Sequence, residues 1–322
     1  MSKSIVLTDS FLIVYISMQA LWMLLASAMF AVMGSFVKLA AEHGASMPQI
    51  VLFRGLPSVV LILIYARAGG LSFVPAAWMP HVWRNLTGVT SMWLGFFAIS
   101  KLPLATATSL SYTAPLFIAG WILVKGSARR DPICIAAVFF GFLGVIAVLR
   151  PSITVEQILP AVLGLASGAL AAVAMMQIRE IGRLGEPEWR TVLFFSIIAS
   201  ASSLVGIAMG SWSWSDWIGW ASLFAIGASG LFGQLALTRA YGLGSALLNA
   251  ALQYSTIIFA ALIGIGFWGE QIDDLALFGG ICIICAGLMS LWRTINVPSP
   301  DQTIHESAAS HLPSETDKDP SR

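Results

Sequence analysis

Long apolar runs, separated by short polar or Gly/Pro-containing segments, follow one another along most of the chain. A helix needs about 20 apolar residues to cross the ~30 Å hydrocarbon core of a bilayer, and these runs are too long and too uniform for alternating barrel strands. The pattern therefore predicts an all-α polytopic membrane protein with ten transmembrane helices. The predicted spans are 17–41, 48–67, 78–100, 103–124, 131–149, 157–178, 189–210, 217–239, 244–267 and 275–292.

A segment in the first half of the chain, Ala98 to Ala119, returns in degenerate form as Ala240 to Ala261. Five of its 22 positions are identical in the two copies, each pair 142 residues apart. The identical pairs are Ala98 and Ala240, Leu110 and Leu252, Tyr112 and Tyr254, Phe117 and Phe259, and Ala119 and Ala261. Gly88 and Gly230 keep the same separation, and the register continues with small slips, as it does after an ancient duplication. The sequence therefore predicts two similar halves.

Lysine and arginine favour the cytoplasmic side of a membrane protein, and they are unevenly distributed here. If the N-terminus is cytoplasmic, eleven of those in loops and span ends lie inside and three lie outside. The inside set is Lys3, Arg67, Arg84, Lys125, Arg129, Arg130, Arg179, Arg183, Arg190, Arg239 and Arg293, and the outside set is Lys38, Lys101 and Arg150. We therefore expect both termini in the cytoplasm of a bacterium and the spans in its inner membrane.

Five spans in each half is an odd number, so the second half is predicted to be inverted relative to the first, as in many secondary transporters. The predicted parts are an N-terminal segment (1–16), a first five-helix repeat (17–149), a second five-helix repeat (150–293) and a disordered cytoplasmic tail (294–322). In transporters built this way, the substrate site lies near the midplane between the halves.

Composition narrows the class of protein. The chain is 57% hydrophobic and only 10% charged, with a mean hydropathy of +0.84, which excludes a water-soluble globule. Its net charge of +1 and the lack of a basic block with interleaved aromatics give no sign of nucleic-acid binding. No Gly-rich loop ending in Lys-Ser/Thr occurs, so we predict no ATP site and no cofactor.

Placing a charged residue inside a membrane costs free energy, so each such residue is a candidate for a functional role. None of the 16 Asp and Glu residues falls in the middle of a predicted span, which argues against a buried carboxylate relay and against paired-acid hydrolysis. Arg54 is the deepest charge, about 9 Å into the second span at 1.5 Å per residue. It either extends to the lipid head groups or faces a cavity and pairs with a carboxylate or phosphate. Arg84 lies nearer the cytoplasmic edge, where phosphate contact and loop anchoring are the alternatives.

Neutral polar residues share one face of the ninth predicted span and a matching face of the fourth. The ninth-span face carries Ser245, Asn249, Gln253 and Thr256, and the fourth-span face carries Thr108, Ser111 and Pro115 with Tyr112 beside them. Such residues either hydrogen-bond between helices or line a cavity. On the cavity interpretation, the predicted substrate-binding residues are Arg54, Trp93, Ser111, Tyr112, Gln234, Asn249, Gln253 and Tyr254. No metal-ligand set is predicted.

These features resemble the drug/metabolite transporter superfamily, specifically its EamA-type members with two five-helix repeats. The resemblance spans about residues 17–293, and its Ala98 to Phe117 segment is most similar to the S-adenosylmethionine-uptake-like branch. One departure is Lys125-Gly126-Ser127-Ala128, at a place where family members often have Gly-Glu. The residues that carry the resemblance are Arg54, Arg84-Asn85-Leu86-Thr87-Gly88, Ala98 to Pro103, Tyr112 to Leu116, and Gly269-Glu270.

The resemblance implies a secondary transporter that works by alternating access rather than an enzyme. The expected substrate is a small polar or amphipathic metabolite, such as an amino acid, S-adenosylmethionine or a related compound. An exporter of drugs or amines with the same fold and a non-transporting membrane scaffold are the alternatives. The sequence is compatible with import or export, with several coupling modes, and with a monomer or a homodimer.

Overall fold

The chain forms a bundle of helices in a computed structural model that describes residues 2–124, 132–149, 154–210, 212–243, 249, 252–271 and 274–296. Those residues contain no strand. A short 3₁₀ helix, Val155–Gln157, precedes α7. The helices are α1 (Ser2–Glu42), α2 (Met47–Ala68), α3 (Trp78–Lys101), α4 (Leu104–Ser111), α5 (Ala114–Val124), α6 (Pro132–Leu149), α7 (Ile158–Arg183), α8 (Glu188–Ala208), α9 (Trp217–Leu243), α10 (Ser255–Trp268) and α11 (Asp274–Asn296).

Five helical stretches in the described residues are long and apolar enough to cross a membrane. They are Ala20–Glu42, Met47–Ala68, Val155–Arg183, Glu188–Ala208 and Trp217–Gly242. Two shorter apolar helical stretches, Ser255–Trp268 and Leu277–Ala286, add to them. In the part of the chain that the structure describes, the fold is therefore all-helical and suits a multi-pass membrane protein, and the count of ten crossings stays a prediction.

Two boundaries differ from the predicted spans. The helix α1 begins at Ser2, so residues 2–16 of the predicted N-terminal segment belong to the same helix as the first span. The predicted span 103–124 is divided into α4 and α5. The predictions for the loop that contains Lys125, for Ser245 and for the tail beyond Asn296 lie outside the described residues.

Each of the closely packed helix pairs joins an element from before residue 150 to one from after it. The helix α1 packs along α9, α3 along α7, α2 along α8, and α6 along α11. Glycines bring the backbones together: a Cβ at Gly227 of α9 would lie 2.6 Å from the carbonyl oxygen of Phe53 in α2. Small residues allow helices to pack this closely in a membrane, where no water drives them together. The core therefore lies between the two halves of the chain.

Candidate functional site

Two helix breaks occur at positions that the predicted repeat makes equivalent. The first separates α4 from α5 at Tyr112 and Thr113. A proline has no N–H, so Pro115 leaves the carbonyl of Ser111 without its usual helical partner and accounts for this break. The second is a turn at Tyr254, directly before α10, where no proline stands nearby.

A hydroxyl group satisfies a backbone carbonyl at each break. The Oγ1 of Thr113 donates to the carbonyl of Leu110 at 2.8 Å, and the Oγ of Ser255 donates to the carbonyl of Leu252 at 2.7 Å. Unpaired backbone groups cost free energy in an apolar surrounding, so these bonds stabilise interrupted helices at membrane depth. Ser and Thr side chains are suited to this task because they reach the carbonyl three residues earlier.

A cavity of about 170 Å³ lies within the bundle, next to both breaks. Five of the eight predicted substrate-binding residues line it: Arg54, Ser111, Tyr112, Gln234 and Gln253. The other polar residues on its wall are Arg84, Ser91, Thr108, Ser167 and Thr256. No Asp, Glu, Lys or His is among the lining residues that the structure describes, so the two arginines are the only full charges in that set.

Arg54 extends from α2 into this cavity. A capping box between Ser46 and Gln49 starts α2, which places Arg54 about two turns inside the helix. The side chain is 2% exposed, and its Nη2 donates to the Oε1 of Gln234 at 3.3 Å. The Nη1 has no hydrogen-bond partner within the described residues. This geometry agrees with a side chain that faces a cavity and not with one that extends to the lipid head groups.

Arg84 reaches the same cavity from α3 and is 3% exposed. Its guanidinium lies over the ring of Phe195, with its carbon 4.3 Å from the ring centroid. The guanidinium carbon of Arg54 lies 5.7 Å from the same centroid. The Nε and Nη1 of Arg84 have no hydrogen-bond partner among the described residues. These two N–H groups therefore anchor no described loop and remain available to a phosphate.

Gln253 closes another side of the cavity through its contact with α9. The hydroxyl of Tyr241 donates to the Oε1 of Gln253 at 3.2 Å and also contacts the sulfur of Met175 at 3.4 Å. This arrangement fixes one end of the Gln253 amide while the side chain remains on the cavity wall. The amide is therefore held in position to exchange hydrogen bonds with a bound molecule.

Three predicted site residues do not line the cavity. The indole N–H of Trp93 donates to the Oγ of Ser202 at 3.0 Å and links α3 to α8. The Nδ2 of Asn249 donates to the carbonyl of Ala240 at 2.6 Å, at the end of α9. Tyr254 is 2% exposed and belongs to an apolar cluster between the halves. The hydrogen bonds of Trp93 and Asn249 fit the other role that the sequence left open for such residues, a link between segments of the chain, whereas the hydroxyl of Tyr254 has no partner among the described residues.

Several wall residues were not predicted from the sequence. Ser91 donates from α3 to the carbonyl of Ser167 in α7 at 2.8 Å, so two small polar residues meet where these helices pack. Phe195 sits beneath both guanidinium groups. A lone Ser or Phe in an apolar run carries no periodic signal, and only the packing of α3, α7 and α8 brings these side chains to the cavity. The sequence did give one indication for Arg84, because this residue lies one helical turn before Gly88, which the predicted repeat matches to Gly230.

One end of the bundle, here called the Glu270 end, is connected by hydrogen bonds and an ion pair. Glu270 forms an ion pair with Lys38 of α1 and accepts the backbone N–H of Leu104 at the start of α4 at 3.0 Å. Lys38 lies over the ring of Trp268, 4.8 Å from its centroid, and the indole of Trp268 donates to Glu42 at 2.9 Å. These contacts join α1, α4 and α10.

A second contact at the same end lies at the surface. Asp216 accepts the backbone N–H of Gly219 at 2.9 Å and contacts the Nδ1 of His43 at 2.8 Å. The Gly219 bond, together with the His43 contact, holds the pKa of Asp216 below its usual range. This carboxylate caps the first turn of α9.

The opposite end, here called the Glu186 end, is connected through loops. Glu186 accepts the backbone N–H of Ala76 and forms an ion pair with Arg190 at 2.5 Å. Arg190 also donates to the carbonyl of Ser72 at 2.6 Å, and Glu188 pairs with Arg239 at the surface. The loop before α3 is thereby joined to the start of α8.

A second cavity, of about 260 Å³, lies at the Glu186 end. Its wall includes Glu186, Glu188, Thr191 and Thr238. Ile178 of α7 lines this cavity and the central one as well. Its side chain, itself 2% exposed, is therefore part of the barrier between the central cavity and the Glu186 end.

Comparisons with known proteins agree with this architecture. The pseudopaline exporter CntI of Pseudomonas aeruginosa (strain UCBPP-PA14) is 31% identical over 278 residues, which cover 84% of this chain and 94% of the relative. The S-adenosylmethionine uptake transporter of Rickettsia prowazekii (strain Madrid E) is 25% identical over 248 residues, covering 76% of this chain and 82% of the relative. No family model matches the chain.

A crystal structure that is 16% identical shares the fold, with a TM-score of 0.62 over 88% of this chain and 99% of that one. The relatives are named as transporters of small molecules, not as enzymes, and the similarity extends over most of the chain. The family predicted from the Arg54, Arg84 and Gly269-Glu270 motifs is confirmed. The chain therefore belongs to the drug/metabolite transporter superfamily.

Proposed function

We propose that the chain is a secondary transporter that carries a small polar or amphipathic metabolite across the bacterial inner membrane by alternating access. One observation carries the proposal: a cavity within the helix bundle whose polar wall combines side chains from both halves of the chain. A scaffold protein has no need for a buried cavity lined by amides, hydroxyls and guanidinium groups, since each of these is costly to desolvate without a ligand.

The charges on the wall favour a substrate with at least one acidic group, such as an amino acid or another metabolite that carries a carboxylate or phosphate. Arg54 offers an unpaired guanidinium N–H, and Ser111 and Gln234 each have a buried polar side-chain atom without a protein partner. An exporter of amines, the alternative with the same fold, would place a cation next to two guanidinium groups. Coulomb repulsion inside a protein makes this arrangement unfavourable.

Two features support alternating access. The interrupted helices at Tyr112 and Tyr254 lie at positions that the predicted inverted repeat makes equivalent, and discontinuous helices at the midplane are typical of transporters with such repeats. Each end of the bundle also has its own set of contacts between the halves, at Glu270 and at Glu186. A carrier of this type opens one set while the other stays closed.

The orientation is inferred from the distribution of Lys and Arg in the sequence, which places the Glu186 end and both termini in the cytoplasm. The Glu270 end would then face the periplasm. The named relatives include an exporter and an uptake transporter, so their names favour neither direction. Reporter fusions at both termini test the orientation, and a periplasmic signal from either one would contradict it.

The transport proposal is tested with the purified full-length protein. Thermal-shift screening of amino acids, nucleosides, S-adenosylmethionine and vitamins identifies a compound that binds, because a ligand of the folded state raises the melting temperature. Uptake of that compound is then measured in proteoliposomes for the wild type, Ser111→Ala and Gln253→Ala. We expect at least a tenfold loss of uptake in both variants, since each removes a polar group from the cavity wall.

Trp93→Phe is the matched control, because Trp93 is polar and buried nearby but does not line the cavity. It should retain most of the uptake. Unchanged uptake in both Ser111→Ala and Gln253→Ala would show that the substrate passes elsewhere, and the proposed site would be wrong.

A further inference from the structure

We infer that the substrate of the central cavity is a compact dianion, a dicarboxylate or a phosphate monoester, that bridges Arg54 and Arg84. This inference rests on the proposed transport function and narrows its substrate class. The observations behind it are the missing counter-charge, the shared ring beneath the two guanidinium groups, and two glycines that make room for them.

The first step concerns charge. Arg54 and Arg84 are 2% and 3% exposed, and none of the described residues on the wall of their cavity is acidic. The hydrogen bond from Arg54 to the neutral amide of Gln234 is the only one formed by either guanidinium within the described residues. Buried charges in proteins are normally paired, because an uncompensated one loses its hydration without replacement. Two negative charges from a bound molecule would complete the site.

The second step concerns distance. Arg54 starts near one end of the bundle, in α2, and Arg84 near the other, in α3, but both guanidinium carbons lie within 6 Å of the ring centroid of Phe195. The negative face of an aromatic ring attracts cations and holds both groups in one place. Two cations that share one ring in a single cavity repel each other, and a dianion relieves that repulsion more fully than a monoanion does.

The third step concerns space. A Cβ at Gly88 would collide with the Nη1 of Arg84, and a Cβ at Gly230 would lie 2.5 Å from the Nε of Arg54. Each arginine therefore occupies the volume that a side chain at one glycine would fill. These two glycines are also a matched pair in the predicted repeat, 142 residues apart. Each half of the chain thus provides one glycine that leaves space for one guanidinium group.

The chemistry of the ligand follows from the groups that remain free. A guanidinium binds carboxylates and phosphates through two parallel N–H bonds, and both arginines retain unpaired N–H groups. Gln234 and Ser111 also have buried polar side-chain atoms without a protein partner, which offer further hydrogen bonds to an anion. The cavity of about 170 Å³ is large enough for a small metabolite rather than a single water. A dicarboxylate and a phosphate monoester meet these requirements equally.

The test measures binding to the purified full-length protein by thermal shift and isothermal calorimetry. The probes are succinate and methyl phosphate as dianions, butyrate as a monoanion, and succinamide as a neutral analogue. We expect at least one dianion to bind ten times more tightly than butyrate or succinamide, and the preferred dianion to distinguish the dicarboxylate from the phosphate source. Arg54→Gln and Arg84→Gln should each weaken that binding at least tenfold.

Arg239→Gln is the matched control, because Arg239 pairs with Glu188 at the surface, away from the cavity. If a Gln variant does not fold, the Lys variant at the same position keeps the charge but loses the two-bond geometry, and we expect dianion binding to weaken while butyrate binding stays the same. Equal binding of dianions and monoanions, or binding that Arg84 variants leave unchanged, would overturn the inference.

The two proposals fail separately. If a neutral or monoanionic compound binds and its uptake depends on Ser111 and Gln253 but not on Arg84, transport stands and the dianion inference is wrong. If neither these probes nor any compound of the wider screen is bound or taken up, both are wrong.

Discussion

The two ends of the helix bundle differ in what holds them closed. At the Glu270 end, one carboxylate joins α1 and α4 through a partly buried ion pair and a backbone N–H. At the Glu186 end, the ion pair between Glu186 and Arg190 is local in sequence, and the bonds that cross to the loop before α3 are those to the N–H of Ala76 and the carbonyl of Ser72. The difference indicates that closure of the Glu270 end depends directly on an ion pair between helices, whereas closure of the Glu186 end depends on bonds to backbone groups.

One reporter measures both ends. A cysteine at Thr108, on the wall of the central cavity, is introduced into a protein whose three native cysteines are replaced. Its reaction with a membrane-impermeant maleimide is followed in intact cells and in inside-out vesicles. The rates from the two sides report how often each end opens.

The largest effect is expected for Glu270→Gln. The substitution leaves Lys38 without its counter-charge in a site where the two side chains are only 15% and 11% exposed. Breaking a buried pair costs on the order of 3 kcal/mol, less here because the pair keeps some solvent contact. We therefore expect labelling from the Glu270 side to rise about tenfold, which corresponds to ~1.4 kcal/mol of lost closure free energy.

Glu42→Gln is the control for that measurement, because Glu42 accepts a hydrogen bond from Trp268 but has no ion pair with Lys38. It should leave the rate nearly unchanged. An unaltered rate in Glu270→Gln as well would mean that packing, not the ion pair, closes this end.

A smaller effect is expected for Glu186→Gln, measured from the other side. The amide still accepts the N–H of Ala76, and Arg190 keeps its bonds to the carbonyl of Ser72. Labelling from the Glu186 side should rise about threefold, or ~0.7 kcal/mol, because the charge-assisted bond that is lost is local in sequence and the bonds that cross to the loop before α3 remain. Glu188→Gln, which breaks a surface pair worth ~0–1 kcal/mol, should change little. A tenfold rise in Glu186→Gln would remove the contrast between the ends.

The smallest effect concerns pH at the Glu270 end. The pKa of Asp216 is lowered in the folded protein, first by the N–H of Gly219 and then by His43. Its contribution to stability is therefore present above the usual carboxyl pKa and is lost as the pH falls through the lowered folded pKa. Melting temperatures of the wild type and Asp216→Asn, measured between pH 3 and 7, should converge at the acidic limit. A difference that is constant over the whole range would contradict this assignment.

The transmembrane pattern and the polar faces could be predicted from the sequence because both are periodic. Ser111 and Gln253 lie on such faces, and both line the cavity. Periodicity cannot separate a wall residue from one that joins two helices, which is why Asn249 and Tyr254 carried the same signal and point elsewhere. The distinction depends on which neighbour fills the space opposite each side chain.

The helix breaks show the same limit. Pro115 marks the first break in the sequence, whereas the turn at Tyr254 has no proline nearby and follows from packing. Pro57, in contrast, lies within α2 without interrupting it. The clustering of Arg84 with Arg54 was equally hidden, because each residue lies about 9–10 Å from the N-terminal end of its helix, and those two ends are at opposite ends of the bundle. Their guanidinium groups meet at Phe195.

The position of Ile178 has a consequence for energy conservation. A carrier that shares its membrane with an ion gradient must never form a continuous water column, even for the short time in which its loops fluctuate. Here Ile178, a branched aliphatic side chain, belongs to the wall of both cavities and so contributes to that insulation. We therefore expect the size of residue 178 to affect how much current the membrane loses through this protein, a property that affinity measurements on the substrate would never register.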